Sequence, residues 1–219
     1  MQIGIEVPDQ IEKTSDFEVS IKVINLNRKE IQTKGTYTIY SLLDNDSINT
    51  KVQEGTFETG KQTELKDKLR KLQSGKYQLS VKALDSNKNE VEEKSNFVLF
   101  SYSDKKPPVK TNEWLVKKNL VLSEKKPAEV IFGVSGNDFY VYYQLYNNDQ
   151  LFERKIVTLS NSNQLFKIPY KAEYGDRIYM TLTYVKNEKM YSENILLQKE
   201  EQKEDETLVV KTEVFRDKL

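Results

Sequence analysis

Apolar and polar residues alternate along nearly the whole chain, the period of two that gives a strand one buried and one wet face. In "GKYQLSVKAL" (75–84), Tyr77, Leu79, Val81 and Ala83 share one face, and Lys76, Gln78, Ser80 and Lys82 share the other. The same alternation predicts further strands near 2–7, 16–25, 35–43, 51–59 and 95–101, separated by polar turns such as "LNRKEI", "DNDSIN" and "DSNKNE". One run departs from it. In "KQTELKDKLRKLQS" (61–74), Leu65, Leu69 and Leu72 sit at helical offsets of four and three. A short strand or turn is nevertheless expected there, as the crossover of a sandwich, with a single helical turn as the alternative.

Two adjacent prolines in "YSDKKPPVKTNEW" (102–114) interrupt the alternation and read as a semi-rigid linker, stiffened at Pro107 and Pro108. It resumes near 119–123, 128–135, 138–147, 150–160, 164–170, 175–186 and 189–198, the strand spacing of an immunoglobulin-like sandwich. The halves echo one another: "GKYQLSVKALDSNKNEV" and "GDRIYMTLTYVKNEKMY" both run strand, polar turn, strand. The predicted fold is therefore all-β, two tandem immunoglobulin-like antiparallel β-sandwiches. The first spans 1–102, a Pro/Lys linker 103–118 and the second sandwich 119–198. A charged linker and the first strand of a truncated further module occupy 199–219.

Composition narrows the chemistry. Hydrophobic residues are 37% and charged ones 31%, which suits small domains with much surface. With 34 basic and 34 acidic residues there is no net field to draw nucleic acid, so no nucleic-acid partner is expected. No stretch approaches the roughly 20 apolar residues that cross a bilayer, and direct membrane insertion is not expected. Cysteine and histidine are both absent. That removes Ser-His and Cys-His catalysis, the usual zinc sites and most neutral-pH general-base chemistry. No pair among the 34 acidic residues is privileged for glycoside hydrolysis. The chain is read as a non-enzyme with no catalytic residues, no metal site and no cofactor.

Three short stretches invite a functional reading. "DNDS" (44–47) has the acid spacing that opens a calcium loop, without its glycine and distal glutamate, and reads better as a hydrated turn. It also contains the sequon "NDS". "GVSGND" (133–138) lacks the strand-to-helix setting of a phosphate loop and reads as a turn. The sharpest is "FYVYYQLY" (139–146). With Phe139, Val141, Tyr143 and Leu145 inward, Tyr140, Tyr142 and Tyr146 stand on the outer face with Gln144. These three tyrosines are the candidate binding residues, for a sugar or a partner protein, against the plainer reading of strand tyrosines half covered by a neighbouring domain. Trp114 is expected to plug an interdomain seam.

The order and spacing of several segments resemble the alpha-2-macroglobulin family, especially its bacterial members. "AEVIFGVSGNDFYVYYQL" followed by "QLFKIPYKAEYGDRIYMTLTYVKNEKMYSE" is similar to the family's bait-region domain. "GTYTIYSL", "GTFETG" and "LQSGKYQLSVKALDSNKNEVEEKSNFVLF" resemble the preceding macroglobulin domain. The closing "EVFRDKL" resembles the opening of the next one, which makes the chain look like an internal fragment of a longer protein. Lys-Lys-Pro in "LSEKKPAEV" (122–130) departs from the family's frequent Pro-Gly turn. The resemblance implies macroglobulin-type sandwiches in a secreted or periplasmic endopeptidase inhibitor, a multidomain protease trap at the periplasm or cell surface. Its partners would be target endopeptidases, met through the parent protein, and neighbouring macroglobulin domains. A thioester would need a cysteine, absent here, so the role implied is scaffold around a bait region. Segments 103–112 and 199–206 are possible bait, or ordinary linkers. The rival reading is a carbohydrate- or protein-binding adhesion module using the tyrosine face.

Overall fold

The computed structural model describes residues 1–61, 64–148 and 150–200. The expected continuation at 201–219, including "EVFRDKL" and most of 199–206, lies outside them. Strands fall into two groups with the same order of elements.

The first group comprises β1 (Gln2–Glu6), β2 (Gln10–Glu12), β3 (Ser20–Ile24), β4 (Lys34–Leu42), β5 (Ile48–Glu58), β6 (Gly75–Leu84) and β7 (Glu90–Phe100). They form a five-stranded sheet, β2-β7-β6-β4-β5, facing the pair β1-β3. The second comprises β8 (Trp114–Asn119), β9 (Val121–Leu122), β10 (Ala128–Val134), β11 (Phe139–Tyr146), β12 (Leu151–Leu159), β13 (Ser162–Ile168), β14 (Arg177–Lys186) and β15 (Lys189–Lys199). Its five-stranded sheet runs β9-β15-β14-β11-β12 and faces β13-β10-β8. The order of the large sheet is the same in both groups, and in each the short second strand runs parallel to the last. Two facing, mainly antiparallel sheets in this order make each group an immunoglobulin-like sandwich.

Each sandwich has its own core, filled by the residues that alternation turns inward. Ile39, Leu79, Val81, Phe97 and Leu99 lie in the first, and Phe132, Val141, Leu145, Leu182 and Leu197 in the second.

Two expectations are corrected. The run at 61–74 contains a helix, α1 (Leu65–Arg70), rather than a short strand or turn. Leu65 and Leu69, one turn apart, are both fully buried in the first core, so the helical stripe outweighs the expectation for a crossover. The helix is tied down by Arg70 donating to the Ser15 carbonyl at 2.9 Å and Lys68 to the Glu54 carbonyl at 3.1 Å. It occupies the place in the order that β13 fills in the second sandwich. The linker expected over 103–118 is also shorter, because β8 begins at Trp114, where Leu115 and Val116 pair with Phe132 and Ile131.

The polar turns share one construction. Asn25–Lys29, Leu43–Ser47 and Asp85–Asn89 each close with the first N–H bonded to the fifth carbonyl at 2.9 Å. The fourth residue, Arg28, Asp46 or Lys88, has a left-handed φ of 58°, 67° or 63°. Side-chain oxygens of Asn25 and Asp85 accept N–H groups two and four residues on, the reason Asn and Asp favour such turns. "DNDS" is one of these turns, with Asp46 paired to Lys76.

Candidate interaction face and interdomain seam

β11 carries the tyrosines where period two places them. Val141, Tyr143 and Leu145 are buried, whereas Tyr140, Tyr142, Gln144 and Tyr146 look outward from the five-stranded sheet. Tyr140 is 63% exposed. Tyr142 is half-buried beside Ile156 and Thr183. Tyr146 is half-buried too, stacked on Tyr179 at 5.6 Å between ring centres and accepting a bond from the Thr181 hydroxyl at 3.3 Å. The three candidates therefore share one face, with Tyr140 the most open.

Cross-strand register lays out the rest of that face. Beside Tyr140 come Thr158, and on the far strands Val185 paired with Met190. Ile156, Tyr142, Thr183 and Ser192 form the next row, and Arg154, Gln144, Thr181 and Asn194 the one after. Arg154 is the one charge in these three rows. Ile156, Val185 and Met190 are 67%, 65% and 75% exposed.

The first sandwich supplies an internal control, because its five-stranded sheet has the same order. The corresponding rows there hold Glu58, Lys34, Leu84 and Glu90, then Thr56, Thr36, Lys82 and Glu92, then Glu54, Thr38, Ser80 and Lys94. These residues are ion-paired, across strands from Lys82 to Glu90 at 2.7 Å and from Lys34 to Glu58 at 3.7 Å, and along β7 from Lys94 to Glu92 at 3.4 Å. One sheet face is a solvated charge lattice. Its repeat carries the single charge of Arg154 among apolar, hydroxyl and aromatic side chains.

On the inner side, burial pushes the Tyr143 hydroxyl above its ordinary pKa, helped by Glu153 nearby. Burial likewise raises Tyr184, whose hydroxyl donates to Glu113 just ahead of β8. On the smaller sheet, Glu129 bridges Lys118 and Lys167, the latter at 3.1 Å. Its carboxyl is held below the usual range, chiefly by the hydrogen bond from Lys118.

A third apolar cluster joins the sandwiches. Phe100, at the end of β7, meets the Trp114 ring edge-on at 5.4 Å, with Val116 and Ile131 buried beside them and Tyr102, Val109 and Leu165 around the rim. Trp114 is 5% exposed, inside the seam as expected. On the first-sandwich side, buried Glu12 accepts the Thr14 amide at 2.8 Å and hydroxyl at 2.6 Å, and lies 3.5 Å from the Tyr102 amide.

The proline segment is stitched to the second sandwich. The Asn163 amide donates to the Lys105 carbonyl at 2.8 Å, and its side chain to the Asp104 carbonyl at 3.0 Å. Ser135 and Thr111 exchange two bonds, Ser135 N–H to the Thr111 carbonyl at 2.7 Å and Thr111 N–H to the Ser135 hydroxyl at 3.0 Å. Pro107 is buried against Gly133. A protease needs a locally unfolded backbone, and these contacts act against local unfolding at Asp104, Lys105, Pro107 and Thr111.

A polar hollow of about 710 Å³ lies at the joint, lined by Asp44, Ser74, the stretch 104–110, Ser135 and Asn161. Among the described residues no group of three or more Asp or Glu is placed to hold a metal ion.

No family model matches the chain, and no curated protein matches it. Among solved structures, it is similar to fibronectin(III)-like modules of Clostridium thermocellum CbhA, with 11% identity over 90% of this chain and 95% of that one and a TM-score of 0.25. It is similar to murine CEACAM1b, at 15% identity over 90% and 100% with a TM-score of 0.27. Chicken CNTN1 FN1-FN3 domains are 13% identical over 82% and 59%, with a TM-score of 0.23. Likeness at this level speaks to no function, and the immunoglobulin-like fold stands on the strand order described above.

Proposed function

We propose that the chain is a non-catalytic scaffold, two β-sandwiches held in a fixed relation within a larger extracytoplasmic protein. The carrying observation is the joint: an aromatic seam around Trp114 combined with a linker bonded to the second sandwich along its length. A flexible tether would need neither. The resemblance to alpha-2-macroglobulins supplies the context of the proposal, a periplasmic or cell-surface protease trap whose rigid modules move as units when bait is cut.

Limited proteolysis with a broad-specificity endopeptidase tests the joint. Segment 103–112 should survive while the sandwiches remain intact, and an early, single cut there would overturn the scaffold reading in favour of bait or hinge. The trap context is tested on the full gene product. A long product that retains an endopeptidase after cleavage supports it, and a product of about this length overturns it.

The outer face of the second sandwich favours a second reading, a binding module using Tyr140, Tyr142 and Tyr146. Its test is a glycan array with the three changed to alanine, where binding lost on substitution supports it and absence of binding counts against a sugar ligand.

A further inference from the structure

We infer that the outer face of β11, β12, β14 and β15 is a self-association surface, through which two copies of this chain pair face to face. The inference rests on the second reading, that this face serves a partner, and specifies which.

Composition selects a protein rather than a sugar. Interface cores are enriched in Tyr, Met and Arg and depleted of Lys, Glu and Asp. This face carries Tyr140, Ile156, Val185 and Met190 exposed and Arg154 alone charged. Strand propensity does not account for it, because the repeat of the same sheet in the first sandwich is covered with paired charges.

Area and charge then favour a second copy. Four strands about 4.8 Å apart and about eight residues long span roughly 500 Å². Two such faces bury on the order of 1,000 Å², the lower limit of a specific interface and the regime of weak, reversible pairing. The whole chain has equal numbers of acidic and basic residues, so no net charge opposes contact between copies.

The face is also self-complementary. A two-fold axis lying between the sheets and parallel to the strands preserves each row and exchanges β12 with β15 and β11 with β14. It sets Tyr140 over Val185 of the other copy, Thr158 over Met190, and Arg154 over the Asn194 amide, which can accept its hydrogen bond. No like charges meet.

Sedimentation equilibrium of this chain from about 10 μM to about 1 mM covers the expected affinity, roughly micromolar or weaker. A monomer–dimer equilibrium is expected. Ile156→Lys and Val185→Lys, both at exposed positions, should each weaken it at least tenfold, with circular dichroism checking that the variants fold. Leu84→Lys, at the position of the first sandwich that corresponds to Val185, should leave it unchanged. Asn194→Asp should tighten the dimer by facing Arg154 with a carboxylate, and Asn194→Lys should weaken it.

A monomer throughout the range overturns the proposal, as does a dimer indifferent to the Ile156 and Val185 changes. A dimer that Asn194→Asp weakens overturns the two-fold arrangement. Glycan binding is read separately on the array, so self-association and the broader binding reading can fail independently.

Discussion

Replacing Trp114 by alanine removes the centre of the joint while leaving both sandwich cores intact. A buried tryptophan side chain takes roughly 200 Å² out of water, about 5 kcal/mol at 25 cal/mol per Å² as an upper bound. Observed truncations of large aromatic residues cost about 3–5 kcal/mol, since surroundings relax only in part. Trp114 is 5% exposed but sits between two bodies that can close the gap by shifting, so the lower end, about 3 kcal/mol, is expected. That loss falls on the coupling between sandwiches. Urea unfolding should change from one concerted transition to two, and small-angle scattering should show a broader distribution of lengths. Adding Phe100→Ala to complete a double-mutant cycle should return a coupling of about 1 kcal/mol for the edge-on ring pair. If Trp114→Ala costs under about 1 kcal/mol and the scattering curve is unchanged, the seam does not hold the joint and the scaffold argument fails.

Three further changes probe other parts of the structure. A Cβ added at Gly133 would come within 1.9 Å of the Asn163 Oδ1 and 3.1 Å of Pro107, so Gly133→Ala should destabilise by about 1–3 kcal/mol and make 103–112 cleavable. Glu129 has a folded-state pKa below its ordinary 4.5, so its contribution is present above that value and is lost as pH falls through the lower folded value. Glu129→Gln should flatten the fall in stability on acidification below pH 4.5, and should cost on the order of 1 kcal/mol near neutrality, read from urea midpoints. Tyr143 and Tyr184 have folded-state pKa values above the ordinary 10.0, so the unfolded chain releases those protons first and stability should fall as pH rises past about 10. Tyr143→Phe should reduce that alkaline slope, followed by phenolate absorbance alongside unfolding.

Much of the sandwich architecture was legible because alternation reports burial directly. Tyr77, Leu79, Val81 and Ala83 share the core face of β6 as read, and the outward set on β11 is the one predicted. β2 escaped, since its three residues are too few to alternate, whereas β9 falls inside the strand read near 119–123. α1 was visible in its leucine offsets but was discounted on the habits of sandwich crossovers, when the spacing of Leu65 and Leu69 was the better guide. β8 was assigned to the linker as far as Lys118 because Lys117 and Lys118 mask its pattern. Only Trp114 and Val116 are buried, and they are buried by Phe100 from the other sandwich.

Residue type and local pattern settle what each residue can do locally: which side chains seek the core, where a left-handed turn is tolerated, and that Cys and His chemistry is excluded. These follow from local periodicity and residue type, which need no knowledge of distant partners. It took the folded chain to bond the proline segment to Ser135 and Asn163 rather than leave it free. Folding also sets which outward-facing rows become neighbours. Tyr140, Tyr142, Ile156, Val185 and Met190 are up to fifty residues apart along the chain, and it is the register of β12, β11, β14 and β15 that assembles them into one face with Arg154 as its single charge. Long-range register depends on how whole strands pair, a property of the folded chain that no local window contains.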